Sequence, residues 1–469
     1  MNYRLTFFLA TLILLCNQVL AASRPNIIYM LIDDLGFTDV GFHGSEIKTP
    51  HIDKLAAGGA RLEAFYVQPV CSPTRAALMT GRYPMRHGLQ VGVVRPWAQY
   101  GLPLEERTLP QALQEAGYFT AICGKWHLGH FQRAYLPTNR GFLHQYGHYN
   151  GALDYFTHDR DGGFDWHRND QVCRDDGYTT TLLGDEAVRL IEQQDASRPF
   201  FLYVPFNAPH SPLQAPTEYL EKYQSIADQK RRTYAAMVNC VDDQIGRIVA
   251  ALEKRGLTGN TLIAFSSDNG GPLGSGATNG SLRAGKATLY EGGIRVSAFA
   301  NWPGQTAPGT VVTQPLHVVD WYPTLLKLAG ASLEQKLPLD GRDAWPTIAA
   351  GKPTPHEEIL HNTTPGNGAI RVGDWKLVLN GNQPEEGSEA LAQADKQAKK
   401  GKKNKGAAAD SVELFNIADD PYEKTNLASQ HPEKVQDLRA RLGAYARAAL
   451  APKSEPIAPD FQSPKVWGE

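Results

Sequence analysis

Three apolar runs constrain this chain more than anything else in its 469 residues: Asn26 to Ile32, Phe200 to Phe206 and Thr261 to Phe265. Each is nearly continuous rather than alternating, so both faces of the strand must be covered, as in a parallel sheet. Helical patterns lie between the runs. Thr49 reads as an N-cap with Pro50 at the first helical position, ahead of Ile52, Leu55 and Ala56. Thr108-Leu109-Pro110 leads into Ala112, Leu113 and Ala116, and Gly117 stops that helix. A longer helix carries Tyr234, Met237, Val238, Val241, Ile245, Ile248, Val249 and Leu252 at helical spacing and ends at Gly256. Strands alternating with helices predict an α/β sandwich around a mostly parallel sheet.

The character changes after Gly351. Ala369 to Leu379 reads as two short strands broken at Gly373-Asp374, and Val412 to Asn416 as another. A helix is expected from Pro432 to Leu450, with Val435, Leu438, Leu442 and Tyr445 on one face. The expected organisation is a large α/β unit over 22–351 and a smaller α+β unit over 352–469. Inside the latter, 385–410 is rich in Ala, Lys, Gln and Gly and carries Lys399-Lys400-Gly401-Lys402-Lys403. Such a segment builds no core, so it is expected to be a disordered, solvated insertion rather than a dock for polyanions.

At the N-terminus, Arg4 precedes an apolar stretch from Leu5 to Leu15, too short for a membrane span, and Val19 and Ala21 suit signal-peptide cleavage. Residues 1–21 are therefore expected to be a signal peptide, with export to a periplasm or the medium and no membrane span afterwards. A formal net charge of -2 gives no electrostatic case for a nucleic-acid partner. Four cysteines follow the leader: Cys71, Cys123, Cys173 and Cys240. That is no disulfide framework, although one bridge among Cys123, Cys173 and Cys240 stays open.

The residues with chemistry stand where strands end. The first apolar run leads into Asp33-Asp34, and the third into Asp268-Asn269-Gly270-Gly271. Ligands of open α/β sheets collect at the carboxyl ends of strands. Three aspartates and an amide oxygen make an all-oxygen set, suited to a hard cation such as calcium or magnesium. Either pair alone also reads as a turn or cap. Lys125 and His127 stand in Gly124-Lys125-Trp126-His127-Leu128-Gly129, His210 in Asn207-Ala208-Pro209-His210, and Lys286 in Leu282-Arg283-Ala284-Gly285-Lys286. Singly, each is as well explained as a surface cation or a core histidine.

Between the acidic pairs lies Cys71-Ser72-Pro73-Thr74-Arg75, followed by Ala76-Ala77-Leu78-Met79-Thr80-Gly81-Arg82. A lone cysteine is usually a small buried hydrophobe. This longer stretch, however, resembles the signature of the type I sulfatases, and Gly117 to His127 resembles their second signature, with Cys123 a departure from it. The resemblance runs from Asn26 to Gly468 and is nearest to the arylsulfatase B (N-acetylgalactosamine-4-sulfatase) branch. It includes Leu213-Gln214-Ala215-Pro216, Pro338-Leu339-Asp340-Gly341, Leu360-His361-Asn362, Gly373-Asp374-Trp375-Lys376-Leu377 and the ending Val466-Trp467-Gly468.

What the resemblance implies is an alkaline-phosphatase-like α/β sandwich with a smaller C-terminal antiparallel sheet plus helix, and hydrolysis of sulfate esters. Cys71 would be oxidised to formylglycine by a formylglycine-generating enzyme, and the aldehyde hydrate would attack sulfur. Asp33, Asp34, Asp268, Asn269 and the modified Cys71 would hold one calcium ion. Arg75 and Lys125 would orient the hydrate. His210, with Lys286, would contact sulfate and protonate the leaving oxygen, while Lys125 and Lys286 balance the transition-state charge. His127 would take a proton from the second hydroxyl to expel sulfate. A sulfated polysaccharide or its oligosaccharides, of galactose or N-acetylgalactosamine type, is the expected substrate, with Arg95, Trp97, His148, Asp154 and His158 as candidate sugar-contacting residues. Two other readings stay open: a phosphoesterase of the alkaline phosphatase superfamily, disfavoured by cations where a second metal would sit, and a non-catalytic glycan-binding relative if Cys71 stays a thiol.

Overall fold

The computed structural model describes residues 24–364, 367–382 and 411–469. The expected signal peptide and the expected insertion at 385–410 fall outside the described residues.

The large sheet has ten strands: β1 (Asn26–Ile32), β2 (Ala60–Leu62), β3 (Phe119–Lys125), β4 (His144–His148), β5 (His167–Arg168), β6 (Gln171–Val172), β7 (Phe200–Phe206), β8 (Thr261–Ser267), β9 (Ala298–Asn301) and β10 (Thr310–Val312). Their order is β10-β2-β9-β8-β1-β7-β3-β4-β5-β6. The five central strands, β8 to β4, are mutually parallel. Antiparallel pairing enters on both flanks, at β9 and at β5. The main helices are α1 (Pro50–Ala57), α2 (Cys71–Thr80), α3 (Leu109–Glu115), α4 (Thr179–Gln193), α5 (Gln229–Lys254), α6 (Trp321–Leu328) and α7 (Pro432–Ala448).

β1 explains why its sequence is apolar throughout. Ile27, Tyr29 and Leu31 join a core with residues of α2, α3 and α6, including Leu78, Leu113 and Leu325. Ile28, Met30 and Ile32 join a second core with residues of α1, α4 and α5, including Ile52, Leu183 and Val241. Successive side chains point to opposite faces, and here both faces are dry. Truncating any of these residues to Ala would cost about 2–5 kcal/mol.

The smaller sheet is antiparallel, in the order β11 (Glu358–Thr364), β12 (Asn367–Val372), β13 (Trp375–Leu379), β14 (Val412–Asn416). α7 packs Leu438 and Leu442 against Leu360, Ile370 and Leu377 in the core that also contains Leu31. A buried ion cluster adds to this junction. Lys376 Nζ on β13 lies 2.9 Å from Glu291 and 2.8 Å from Glu423, with all three side chains fully enclosed.

Several local expectations change. Thr49 precedes α1 but makes no capping bond; its hydroxyl donates to Asp53 and accepts from Gly41 N. Thr108 does cap α3, in a reciprocal box with Gln111. β3 and β11 do not stand out in the sequence as strands, because Gly124 and a polar tail interrupt the apolar pattern. Gly124 has φ +143° and faces Pro205 so closely that a Cβ would sit 2.1 Å from its carbonyl oxygen. Cys123, Cys173 and Cys240 are unbridged. Burial pushes the Cys240 thiol up to about 12.

Candidate functional site

β8, β1, β7 and β3 are neighbours in the sheet, and all four end on the same edge. β1 runs into Asp33 and Asp34, β8 into Asp268 and Asn269, β3 ends at Lys125, and the turn after β7 carries His210. Cys71 and Arg75 come from the first turns of α2, whose ten residues are all buried. Asp33, Asp34, Cys71, Arg75, Lys125, His127, His210, Asp268 and Asn269 are each no more than 6 % exposed. Lys286, on the loop after β8, is 10 % exposed at its side chain.

Distances join these residues into one cluster. Donor atoms of Asp33, Asp34, Cys71 and Asp268 all lie within 4.8 Å of one another. Cys71 Sγ is 3.6 Å from Asp33 Oδ1. Arg75 Nη2 is 2.9 Å from Asp268 and 3.3 Å from Asp33, and Arg75 Nη1 donates to the Lys125 carbonyl at 3.1 Å. Lys125 Nζ pairs with Asp33. Lys286 Nζ lies 2.9 Å from Asp34 Oδ1, and His210 Nε2 3.7 Å from Asp34 Oδ2.

The donor set fits a hard cation. Asn269 Nδ2 donates to Asp34 at 2.7 Å, while Asn269 Oδ1 is buried with no hydrogen-bond partner. An unmatched buried acceptor costs about 1–3 kcal/mol, which a bound cation would remove. Burial and the adjacent Asp33 push the Asp268 carboxyl up, against the pull of Arg75 and Lys125. Carboxylates crowded in this way are relieved by a shared positive charge. Three carboxylates already face Arg75, Lys125 and Lys286. Adding a divalent ion leaves the site net positive, which favours an anionic ligand. Burial and Lys286 depress the His210 imidazole, but Asp33 and Asp34 outweigh them and hold it above its ordinary value.

The backbone is strained at these positions. Asp34 has φ +68° and His127 φ +58°, and Ala284 and Ala287, flanking Lys286, have φ +60° and +64°. Such conformations cost of order 1–3 kcal/mol each and persist where packing over-determines them. His127 illustrates the packing. Its N–H donates to Tyr149 O at 3.0 Å, its Nε2 lies 3.0 Å from Val94 O, and Ser72 Oγ donates to its carbonyl at 2.9 Å. Gly151 lies under its ring, where a Cβ would sit 2.5 Å from Cε1 and Nε2.

Two cavities meet at His210 and Ser211. One, of about 380 Å³, is lined by Asp34, Lys286 and the 272–275 loop. The other, of about 490 Å³, is lined by His127, Arg95, Trp97 and Arg160. Of the candidate sugar-contacting residues, Arg95 and Trp97 thus face a cavity. His148 and His158 do not: both are buried, their rings stacked on Trp166. Asp154 accepts from Phe156 N, Thr157 N and Gln214, which makes it a turn residue.

Some residues of the site escape sequence reading. Ser72 bridges His127 O and Val94 N, and its place inside the Cys71 pentapeptide was the available signal. Tyr155 Oη holds the His210 turn through Asn207 O (2.7 Å) and His210 O (2.8 Å). Arg160 belongs to a charged turn, and in sequence such a turn looks like solvated surface.

Comparison with known proteins agrees with this geometry. The Sulfatase family model matches residues 25–331. Arylsulfatase J of Mus musculus is 40 % identical, over 95 % of this chain and 80 % of that protein. N-acetylgalactosamine-6-sulfatase of the same species is 34 % identical, over 76 % of this chain and 72 % of that protein. The crystal structure of Ps i-CgsB in complex with k-i-k-neocarrahexaose superposes with a TM-score of 0.81 at 33 % identity, covering 92 % of this chain and 95 % of that one.

Proposed function

The chain belongs to the sulfatase family and is a sulfuric ester hydrolase; we propose that it removes sulfate from a sulfated polysaccharide or its oligosaccharides, of galactose or N-acetylgalactosamine type, with a formylglycine made from Cys71 as nucleophile. The observation that carries this reading is the setting of Cys71. It is fully buried, opens α2, and has its Sγ 3.6 Å from Asp33, the carboxylate that Arg75 and Lys125 also meet. Val70, Val93 and Ala287 pack against it, as they would against a structural thiol; the carboxylate at its sulfur, itself paired with two buried cations, suits a residue that becomes an oxyanion. The partial positive charge at a helix N-terminus favours that oxyanion further. The sugar class draws on a relative named for N-acetylgalactosamine and a neighbour bound to an oligosaccharide.

In this reading a formylglycine-generating enzyme matures the chain before it works, and residues 1–21 direct it out of the cytoplasm. Asp33, Asp34, Asp268, Asn269 and residue 71 would hold one calcium ion, which neutralises sulfate oxygens and favours ionisation of the aldehyde hydrate. Arg75 and Lys125 orient the hydrate, one hydroxyl of which attacks sulfur in line. His210, with Lys286 beside the same carboxylate, gives the departing sugar oxygen its proton. Lys125 and Lys286 balance the negative charge that grows on sulfate. His127 then takes a proton from the second hydroxyl, so the carbon–oxygen bond to sulfate breaks and the aldehyde is restored. A serine would stop at a stable sulfate ester, having no second hydroxyl on that carbon.

Mass spectrometry of the tryptic peptide containing residue 71 tests this directly. The expected result is the aldehyde or its hydrate, with Cys71→Ala unable to release sulfate from any sulfated oligosaccharide. A wholly unmodified thiol in enzyme that turns over such substrates would sink the mechanism.

A further inference from the structure

We infer that the 490 Å³ cavity beside His127 is a subsite for a second anionic group, borne by the unit next to the sulfate being hydrolysed, and that Arg95 and Arg160 receive it; this rests on the sulfatase reading above. A cavity of that size falls within the range of about 300–1,000 Å³ found for small-molecule sites, more room than one sulfate needs. It shares His210 and Ser211 with the cavity that contains Asp34 and Lys286, so a ligand reaching from one to the other spans more than the reacting group. Its charged lining is Arg95, Arg160 and Asp161, with His127 and His210 beside them.

Neither guanidinium is neutralised by the protein's interior. Among the described residues the Arg95 guanidinium has no carboxylate or hydrogen-bond partner, and it lies 6.0 Å from the Trp97 ring. Among the same residues the Arg160 guanidinium meets only Asp161, a half-exposed neighbour on the same cavity wall, at 3.2 Å. Both arginines nevertheless stand on loops held in place by the C-terminal segment. Trp97 Nε1 donates to Glu455 O at 2.8 Å, and Trp467 Nε1 donates to Arg160 O at 2.9 Å. Phe461 contacts both tryptophan rings, at 6.4 Å each. The Val466-Trp467-Gly468 ending thus ties the two arginine loops into one wall. An uncompensated Arg95 guanidinium, with Arg160 beside it paired only to a half-exposed carboxylate, suits a planar oxyanion, sulfate or carboxylate, through charge-assisted forked hydrogen bonds. Trp97 offers a flat apolar face for a sugar ring.

The experiment compares Arg95→Ala, Arg160→Ala and Arg95→Lys with the unaltered enzyme on four probes. These are an aryl sulfate and three disaccharides sulfated on the reacting ring, whose second ring is neutral, carries a further sulfate, or carries a carboxylate. For the anionic pairs, kcat/KM should fall about tenfold or more, the loss of one charge-assisted hydrogen bond, mostly through KM. The fall should be at least fivefold smaller on the aryl sulfate and the neutral disaccharide, and Arg95→Lys should recover part of it. The sulfate and carboxylate arms show which anion is preferred. Equal losses on all four probes, or none on the anionic pairs, would overturn the subsite. Calorimetric binding of the disulfated disaccharide to the Cys71→Ala protein separates the two readings. Arginine-dependent binding there would keep the subsite whatever mass spectrometry shows at residue 71, and binding that ignores both arginines would overturn the subsite while leaving the formylglycine reading untouched.

Discussion

At the scale of single residues, the site depends on contacts that leave no room. Gly151 shows this best, since any side chain there would overlap the His127 ring. The ring, not the backbone, would yield, because the clash falls on a movable side chain. Gly151→Ala should therefore still fold, at an overpacking cost of about 1–3 kcal/mol, while kcat drops about 100-fold, the loss expected when a reacting group is displaced by about 1 Å. Steady-state kinetics on a sulfated oligosaccharide would check it; an unchanged kcat would separate His127 from the chemistry. The candidate residues were themselves legible in the sequence, because Asp33-Asp34, Cys71 to Arg75, Lys125 to His127 and Asp268-Asn269 stand beside strong local punctuation, and the structure gathers them into one cluster. His148 and His158 were misread because polarity in a loop-like stretch suggests exposure, whereas both rings stack on buried Trp166.

Among elements, the junction between the sheets rests on Lys376. Burial disfavours its charge, but Glu291 and Glu423 more than compensate and hold it above the ordinary lysine value. Glu291 also accepts from Tyr66 Oη at 2.8 Å, and Gly293, two residues on, accepts from Gly270 N at 2.9 Å. The cluster thus reaches from β13 to the loop that carries Asn269. Removing one partner of a buried ion pair costs about 3–5 kcal/mol because the other charge stays behind. Lys376→Ala should lose about that much in urea unfolding, here with two carboxylates left over. A loss under 1 kcal/mol would mean that water already reaches the cluster. β1, β7 and β8 were readable because continuous apolar runs have one explanation in an α/β chain. β3 and β11 were not, because Gly124 and the polar stretch His361-Asn362 break the pattern while tertiary contacts supply the stability.

For the whole molecule, the consequence is sensitivity to acid. His87 is buried next to Gly88, whose carbonyl accepts from Lys453 N at 2.7 Å. Burial, with Arg82 and Lys453 nearby, lowers its pKa to about 3. An unfolded histidine titrates near 6.5. Between those values the unfolded chain binds a proton that the folded one refuses, so this contribution is full above about pH 6.5 and is lost progressively as the pH falls toward 3. The melting temperature should decline from pH 7 to pH 5, and His87→Gln should flatten the decline. An identical slope in the variant would place the acid sensitivity elsewhere.

The sequence by itself determined the class of fold and singled out the candidate residues: periodicity gave the first, Asp33-Asp34 and Asp268-Asn269 follow two of the apolar runs, and the resemblance to a family signature pointed to Cys71, Arg75, Lys125, His127, His210 and Lys286. Only the tertiary structure decided that β8, β1, β7 and β3 stand side by side, that Arg95 and Arg160 face one cavity, and that the C-terminal segment ties their loops together. Strand order and loop convergence depend on contacts between residues hundreds of positions apart, and no local pattern encodes those.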